Sequence, residues 1–246
     1  NNMAEYAVLS DIHGNLFALE AVMKDMSSFA VEGVILLGDL IDYGMQSNEV
    51  VDYFRDGCGR KIICNLWGNH ERAVMLSDFE RFSSGRGVES ARHTADSLTE
   101  ETRRYLDERM RHEGREEFLL GDLQCLAVHG SAEDAYWKAV FPEDVHGDYR
   151  NYDLVLSGHS HYPHVFTRFY EAEDAARRNR HAVLFLNPGS VGQPRNHDPH
   201  AQYMIFDTAK RHVAMRSVEY DVEAAMRLFE GRAVDMFYRD RLKNGV

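Results

Sequence analysis

Apolar and polar residues alternate along this chain in blocks that change period. Residues 4–10 are an apolar run that predicts a buried strand. Residues 15–28 then place Leu16, Leu19, Val22, Met23 and Met26 at helical spacing. Val34-Ile35-Leu36-Leu37 predicts a second strand ending at Gly38-Asp39, and residues 47–56 a second helix with Ser47 as its N-cap. Ile62-Ile63-Cys64 predicts a third strand, which leads to Gly68-Asn69-His70. Alternation this regular implies parallel βαβ units. Residues 71–113 are charged and helical in propensity. They fall between groups of chemically active residues and are expected to emerge there as a helical cap. Beyond them the pattern turns antiparallel. Residues 116–120 and 123–128 flank Gly121-Asp122, a tight-turn signal, and a short strand is expected at 153–157. Further strands are expected near 164–170, 182–186, 201–206 and 212–219, the last two joined by a turn around Thr208-Ala209-Lys210. Residues 221–243 read as one or two amphipathic helices.

The 246 residues suffice for one large α/β domain, expected to run from Met3 to Val246; Asn1-Asn2 are left out of the fold reading. The hydrophobic fraction of 44% fits a soluble globule, and no apolar run approaches the length of a membrane helix. The N-terminus enters strand-like sequence at once, without the pattern of a secretory leader, so a cytoplasmic protein is expected. Cys58, Cys64 and Cys125 form no CxxC pair and read as free thiols of a reducing compartment. A net charge of −12 argues against a general nucleic-acid binder, which would carry a basic stripe. It does not exclude anionic substrates if part of the acidity holds cations.

Five short stretches carry the chemistry. They are Asp11-Ile12-His13, Gly38-Asp39-Leu40-Ile41-Asp42, Gly68-Asn69-His70-Glu71, Val128-His129-Gly130 and Gly158-His159-Ser160-His161. Each follows an apolar run, so each should lie where strands end and ligands gather. Taken singly, each is commonplace: histidines sit in cores, and Gly-Asp and Gly-Asn make turns. Together they place five of the 13 histidines at strand ends. Asp11, His13, Asp39, Asn69, His129, His159 and His161 supply one carboxylate able to bridge and several further donors, the inventory of a pair of divalent ions. With no thiolate among them, manganese, iron, zinc, cobalt or nickel suits the set better than calcium, manganese first. Asp11 with His13, and His159 with His161, are two apart, so in an extended backbone their side chains would share a side. The other eight histidines, such as His93, His112 and His212, mostly lie in polar segments and read as solvated.

These five blocks resemble those of the calcineurin-like metallophosphoesterase superfamily over roughly residues 4–210. The segment Asn187-Pro188-Gly189-Ser190-Val191-Gly192-Gln193-Pro194-Arg195 is similar to one in its small prokaryotic phosphodiesterase branch. The resemblance implies a four-layer αββα sandwich with two central mixed β-sheets. It implies one ion held by Asp11, His13, Asp39 and His161, a second by Asp39, Asn69, His129 and His159, and attack by a hydroxide between them. His70 would be the general acid, oriented by Asp42. Asn15 is either a phosphate contact or a helix N-cap. A phosphate-ester small molecule or nucleotide is the implied partner, with diesters favoured over monoesters. The oligomeric state is left open.

One departure bears on substrate. Protein Ser/Thr phosphatases carry an arginine directly after the second aspartate of the Gly-Asp block; here Tyr43 stands there. That loses a bidentate phosphate clamp. Arg195 is either a substitute from another loop or a surface residue. The arginines of 71–113 (Arg81, Arg86, Arg92, Arg103, Arg104, Arg109 and Arg111) read as solvated helix faces or as a substrate clamp. A non-catalytic scaffold, like the retromer subunit of this fold, is the rival of another class, but such a scaffold would not need to keep His70 and all seven ligands.

Overall fold

A computed structural model of the chain describes residues 4–246. Its centre is two five-stranded sheets. The first has the order β10-β9-β1-β2-β3, built from β1 (Glu5–Leu9), β2 (Val31–Leu36), β3 (Lys61–Asn65), β9 (Ala201–Asp207) and β10 (His212–Val218). The second has the order β4-β5-β6-β8-β7, from β4 (Arg115–Leu120), β5 (Leu123–Val128), β6 (Leu154–Ser157), β7 (His164–Glu171) and β8 (Arg180–Asn187). Both are mixed. β1, β2 and β3 run parallel, as do β5, β6 and β8, while β9, β10, β4 and β7 pair antiparallel at the flanks. This is the α/β sandwich with two central mixed sheets that the resemblance implies. The expected start at Met3 lies outside the described residues.

Period-two burial decides what each sheet faces. Along β1 and β2, Ala7, Leu9, Val34 and Leu36 pack under the helices α1 (Leu16–Met26) and α2 (Ser47–Arg55). Val8, Ile35 and Leu37, with Met204 and Phe206 of β9, face the second sheet, where they meet Cys125, Ala127 and Leu156. Cys64 and Cys125 are buried in this inter-sheet core as free thiols, and Cys58 is half-buried. The outer face of the second sheet, with Leu126, Val155 and Phe185, is covered by Val140, Val145 and Tyr149 of the irregular stretch 131–152.

The charged stretch after Gly68 forms α3 (Asn69–Leu76), α4 (Gly85–Ser97) and α5 (Glu100–Glu108). The C-terminal region forms α6 (Val222–Arg227) and α7 (Phe237–Asn244), which pack on Tyr43 and Met45. One expected cap is corrected. Gln46, without a side-chain bond to the helix, holds the N-cap position of α2. Ser47 instead accepts the Asp42 N–H at 2.9 Å, because that donor is buried in a tight turn and has greater need of it. The cap of α1 is Asn15, whose side-chain oxygen accepts from the Ala18 N–H at 3.1 Å.

Candidate metal centre

The five blocks leave the sheets at the C-terminal ends of their parallel strands. Asp11 and His13 follow β1, Asp39 follows β2, Asn69 and His70 follow β3, His129 follows β5, and His159 and His161 follow β6. The two central strand bundles deliver all of them to one edge of the sandwich, as open parallel sheets do. Asp39 sits among both sides of the cluster. One group that could hold a metal is Asp11, His13 and His161; a second is Asp39, His129 and His159; a third is His13, Asp39 and His70.

The backbone that presents these groups is not extended, which corrects the expectation about alternate residues. Asp11 (φ 54°), His13 (φ 47°), Asp39 (φ 57°), His159 (φ 67°) and His161 (φ 61°) are all left-handed. So are Asp42 (φ 72°) and Tyr43 (φ 63°). Left-handed turns, rather than a shared face of a strand, aim the side chains inward. Such conformations cost about 1–3 kcal/mol each and persist where the surroundings enforce them. Two close approaches do so. A Cβ on Gly68 would lie 2.0 Å from Asp39 Oδ1, and one on Gly192 would lie 1.7 Å from the Ile12 carbonyl oxygen. Only glycine lets those segments pack against the ligand loops.

Three imidazoles are pinned from behind. Each places Nδ1 on a backbone carbonyl: His13 on Ile41 at 3.1 Å, His129 on Leu37 at 2.7 Å and His161 on Gln193 at 2.6 Å. With Nδ1–H donated outward, each Nε2 lone pair faces the cluster, the tautomer a metal needs. His13 Nε2 and His161 Nε2 are 3.2 Å apart, and His161 Nε2 lies 3.2 Å from Asp11 Oδ1. His129 Nε2 lies 2.9 Å from Asn69 Oδ1 and 3.3 Å from Asp39 Oδ2, and His159 Nδ1 lies 3.1 Å from Asn69 Oδ1. Asp11 Oδ2 accepts from Ser10 and from the His159 N–H, whereas Asp11 Oδ1 is buried without a hydrogen-bond partner. An orphaned carboxylate oxygen amid inward-facing lone pairs is what a cation would satisfy, so the donor set fits divalent metal ions.

The electrostatics agree. Burial works against ionisation of Asp11, yet His161 and His13 hold it well below the usual carboxylate range. Burial likewise opposes ionisation of Asp39, but His129, His70 and His13 keep it low. Burial and the neighbouring His129 push His159 down to about 4, and burial and Arg195 push His161 down to about 3. Both are therefore neutral at physiological pH, the form in which an imidazole can ligate a metal. His129 is the exception: burial would lower it, but Asp39 raises it to about 9, so a metal ion would have to displace a proton from its Nε2.

His70 stands at the edge of this cluster. Its Nδ1 is 2.6 Å from Asp42 Oδ2, and its ring lies edge-on to those of His13 and Tyr43. Burial opposes protonation, but Asp39 and Asp42 raise its pKa. Asp42 is itself held by hydroxyls that the sequence reading passed over. Ser90 and Thr94 of α4 each donate to its Oδ1 at 2.7 Å. The signal was present as polar residues at i and i+4 on the buried face of α4. Glu71, the last residue of the Gly68–Glu71 block, is fully buried and caps three turns. It accepts the N–H groups of Leu40 at 2.6 Å, Gly68 at 2.8 Å and Asp39 at 2.9 Å.

A cavity of about 390 Å³ opens over the cluster, lined by Asp39, Tyr43, Asn69, His70, His159 and His161 and closed in by Arg81, Phe82, Trp137 and Arg195. Phe82 and Trp137 had carried no signal, since neither lies in a block. Arg195 therefore faces the cavity. Its terminal nitrogen donates to Gln193 Oε1 at 3.0 Å, and its Nε is buried without a partner. Arg81 is the cavity arginine of the 71–113 stretch, paired to Asp134 at 2.8 Å. Asn15 does not line the cavity. Besides capping α1, its amide donates to the Gly192 carbonyl at 3.0 Å and to the Tyr220 hydroxyl at 3.1 Å, which ties the Asn187–Arg195 loop to the first helix. Among the remaining histidines, His164 departs from the solvated reading: it is half-buried, and burial pushes its pKa down to about 4.

Two mixed sheets with carboxylate, carboxamide and imidazole donors crowded at their parallel strand ends have the architecture of a metallophosphoesterase. Residues 5–211 match the calcineurin-like phosphoesterase superfamily domain, and the chain belongs to that superfamily. An uncharacterized protein of Methanocaldococcus jannaschii is 30% identical over 223 residues, which cover 89% of each chain. The crystal structure of a metallophosphoesterase from Sphaerobacter thermophilus aligns over 100% of both chains with a TM-score of 0.72 and 28% identity. That of a hypothetical protein from Pyrococcus horikoshii aligns over 99% of both with a TM-score of 0.85; at 18% identity it speaks to the fold alone. No helix of the described residues is long and apolar enough to cross a membrane.

Proposed function

We propose that this protein hydrolyses phosphate esters, phosphodiesters or nucleotides before monoesters, with two divalent metal ions. The observation that carries the reading is Asp39, which stands in two separate groups of potential ligands while the orphaned Asp11 Oδ1 completes another. Asp11, His13, Asp39 and His161 would hold one ion, and Asp39, Asn69, His129 and His159 the other. Manganese suits the mixed oxygen and imidazole shell first, then iron, zinc, cobalt or nickel. The ions, when bound, supply an activated water and relief of charge on the phosphate oxygens.

The chain's own residues do the rest. His70, its Nδ1 fixed by Asp42 and its ring lining the cavity, donates a proton to the departing alcohol. A carboxylate at Nδ1 keeps the ring in one orientation and raises its pKa, which favours the protonated form a general acid needs. Arg195 binds a non-bridging phosphate oxygen from the cavity wall. Phe82 and Trp137 narrow the mouth and exclude water from that side. In this reading residues 4–246 form one phosphoesterase domain with 71–113 as its cap, and the free thiols fit a cytoplasmic location.

Asp39→Asn tests the reading. Metal-reconstituted wild type should carry two ions per chain by elemental analysis and hydrolyse bis(p-nitrophenyl) phosphate. The variant should lose most of both while keeping its far-ultraviolet spectrum. At most one ion per wild-type chain would overturn the two-metal centre.

A further inference from the structure

Forty acidic residues outnumber 28 lysines and arginines in this chain, so arginines that gather without a carboxylate need a reason. Three do so beside the cavity. Arg195 and Arg241 both point at Gln193 Oε1, at 3.0 and 3.5 Å. Arg241 and Arg86 both lie against the Phe237 ring, with guanidinium carbons 4.7 and 4.1 Å from its centroid. Among the described residues, no Asp or Glu oxygen lies within 4.0 Å of a guanidinium nitrogen of Arg86, Arg195 or Arg241. Burial and the neighbouring Arg195 make Arg241 a weaker base than usual, and Arg86 adds to this.

The cluster is tied to the cavity wall. Arg195 and Tyr43 line the cavity, and Tyr43 is stacked on Tyr238 of α7 with centroids 4.5 Å apart and planes at 24°. Arg241 is three residues further along the same helix, one turn away. Arg86 belongs to the first turn of α4, just after Ser83, which also lines the cavity. Gln193 offers the pair of guanidinium groups a neutral oxygen, which leaves their charge uncompensated. Arg195 Nε has no acceptor at all. A pair of divalent ions beside Asp11 and Asp39 would make this side of the cavity more positive still. One phosphodiester carries a single negative charge and cannot balance that.

We propose that Arg195, Arg241 and Arg86 form a second anion subsite beside the metal centre, and that the substrate is a phosphate ester bearing a second phosphate. Guanidinium groups suit phosphate because their paired N–H donors match two of its oxygens. Arg195 borders both subsites. Arg241 and Arg86 act on the second phosphate and set specificity. The substrate part of this inference rests on the phosphoesterase reading; the anion-binding part does not.

The test uses a matched pair of ligands that differ by one phosphate, thymidine 3′,5′-bisphosphate and thymidine 5′-monophosphate. Both are titrated into the manganese-reconstituted protein, with tryptophan fluorescence as the signal, since Trp137 lines the cavity. The matched 5′-p-nitrophenyl esters of thymidine phosphate, with and without a 3′-phosphate, are assayed in parallel. Wild type should bind the bisphosphate about tenfold tighter and show a similar preference in kcat/KM. Arg241→Met and Arg86→Met, which keep the apolar stems on Phe237, should each remove most of that preference. Arg241→Lys should restore part of it, and circular dichroism should show all three folded. Equal affinity for the two ligands in wild type would overturn the subsite, as would a preference that survives both methionine variants. A bisphosphate preference in binding with neither ester hydrolysed would sink the phosphoesterase reading and leave the subsite standing.

Discussion

Glu71 offers a sharp test of how the metal loops are held, through Glu71→Gln. The carboxylate is fully buried, its Oε2 accepting two N–H groups, from Asp39 and Gly68, and its Oε1 a third from Leu40. Burial and the charge of Asp39 push its pKa up to about 7, so at pH 8 it is mostly ionised. Glutamine has nearly the same shape but only one accepting atom. Its best orientation keeps oxygen at the Oε2 position and turns the NH₂ toward the Leu40 N–H. One charge-assisted bond is lost and one buried donor is left facing another donor. The loss and the unsatisfied donor together amount to about 2–4 kcal/mol, less what is recovered by not burying a charge beside Asp39. In a chain this long that corresponds to a fall in Tm of roughly 4–16 °C. The assay is urea denaturation at pH 8 with and without manganese, plus elemental analysis. The deficit should be larger with metal present, because the same N–H groups set the backbone of the Asp39 loop. A change below about 0.5 kcal/mol in both conditions would refute the idea that Glu71 fixes these loops.

Other outcomes follow from contacts described above. His70→Ala should cost little with an activated aryl ester and on the order of 10²–10⁴-fold with a nucleotide or alkyl ester, which needs a proton on its leaving group. Equal losses on both, with reduced metal content, would make His70 a ligand, as its place in the group with His13 and Asp39 allows. Ser90→Ala with Thr94→Ala strips two donors from Asp42 Oδ1 and should reproduce the same leaving-group selectivity in weaker form, with metal content unchanged; a uniform loss would contradict it. Asp25 is held below the usual carboxylate range by its bond to Arg216, with Tyr203 adding to it against the opposing effect of burial. A lowered carboxylate stabilises above its unfolded pKa and stops doing so as pH falls through its folded value. The stability gap between wild type and Asp25→Asn, read by denaturation, should therefore be constant at neutral pH and shrink below about pH 4.

The strands and their order of appearance were legible because each is an apolar run with a clear break, and the five blocks were legible because their residue types are rare at such breaks. What escaped depends on contacts between distant segments. The cover on the outer face of the second sheet comes from 131–152, whose Val140, Val145 and Tyr149 carry no period. Ser90 and Thr94 looked like ordinary polar helix positions until α4 was seen to dock on Asp42. The reading of His159 and His161 as extended was reasonable for residues leaving a strand. It failed because the turn after β6 is locked by Asn187, whose amide donates to the Gly158 carbonyl at 3.2 Å. Arg195 was left open between two readings, since nothing local to its loop shows that the loop packs against Ile12.

The left-handed backbone at five of the proposed ligand positions changes what mutagenesis of this site would measure. Asparagine and aspartate tolerate that conformation better than other side chains carrying a Cβ, and β-branched residues tolerate it worst. An alanine scan across Asp11, His13, Asp39, His159 and His161 would therefore mix the removal of a donor with a change in how readily the loop folds. Exchange to glycine keeps the loop cheap to form and removes the donor, whereas asparagine keeps an oxygen that can still ligate, as proposed for Asn69. The same positions should be unevenly permissive to random substitution: asparagine and glycine would leave folded protein, inactive with glycine, while valine, isoleucine and threonine would lower the yield of folded chain. Expression level and activity would then separate along this backbone coordinate rather than along distance from the cavity.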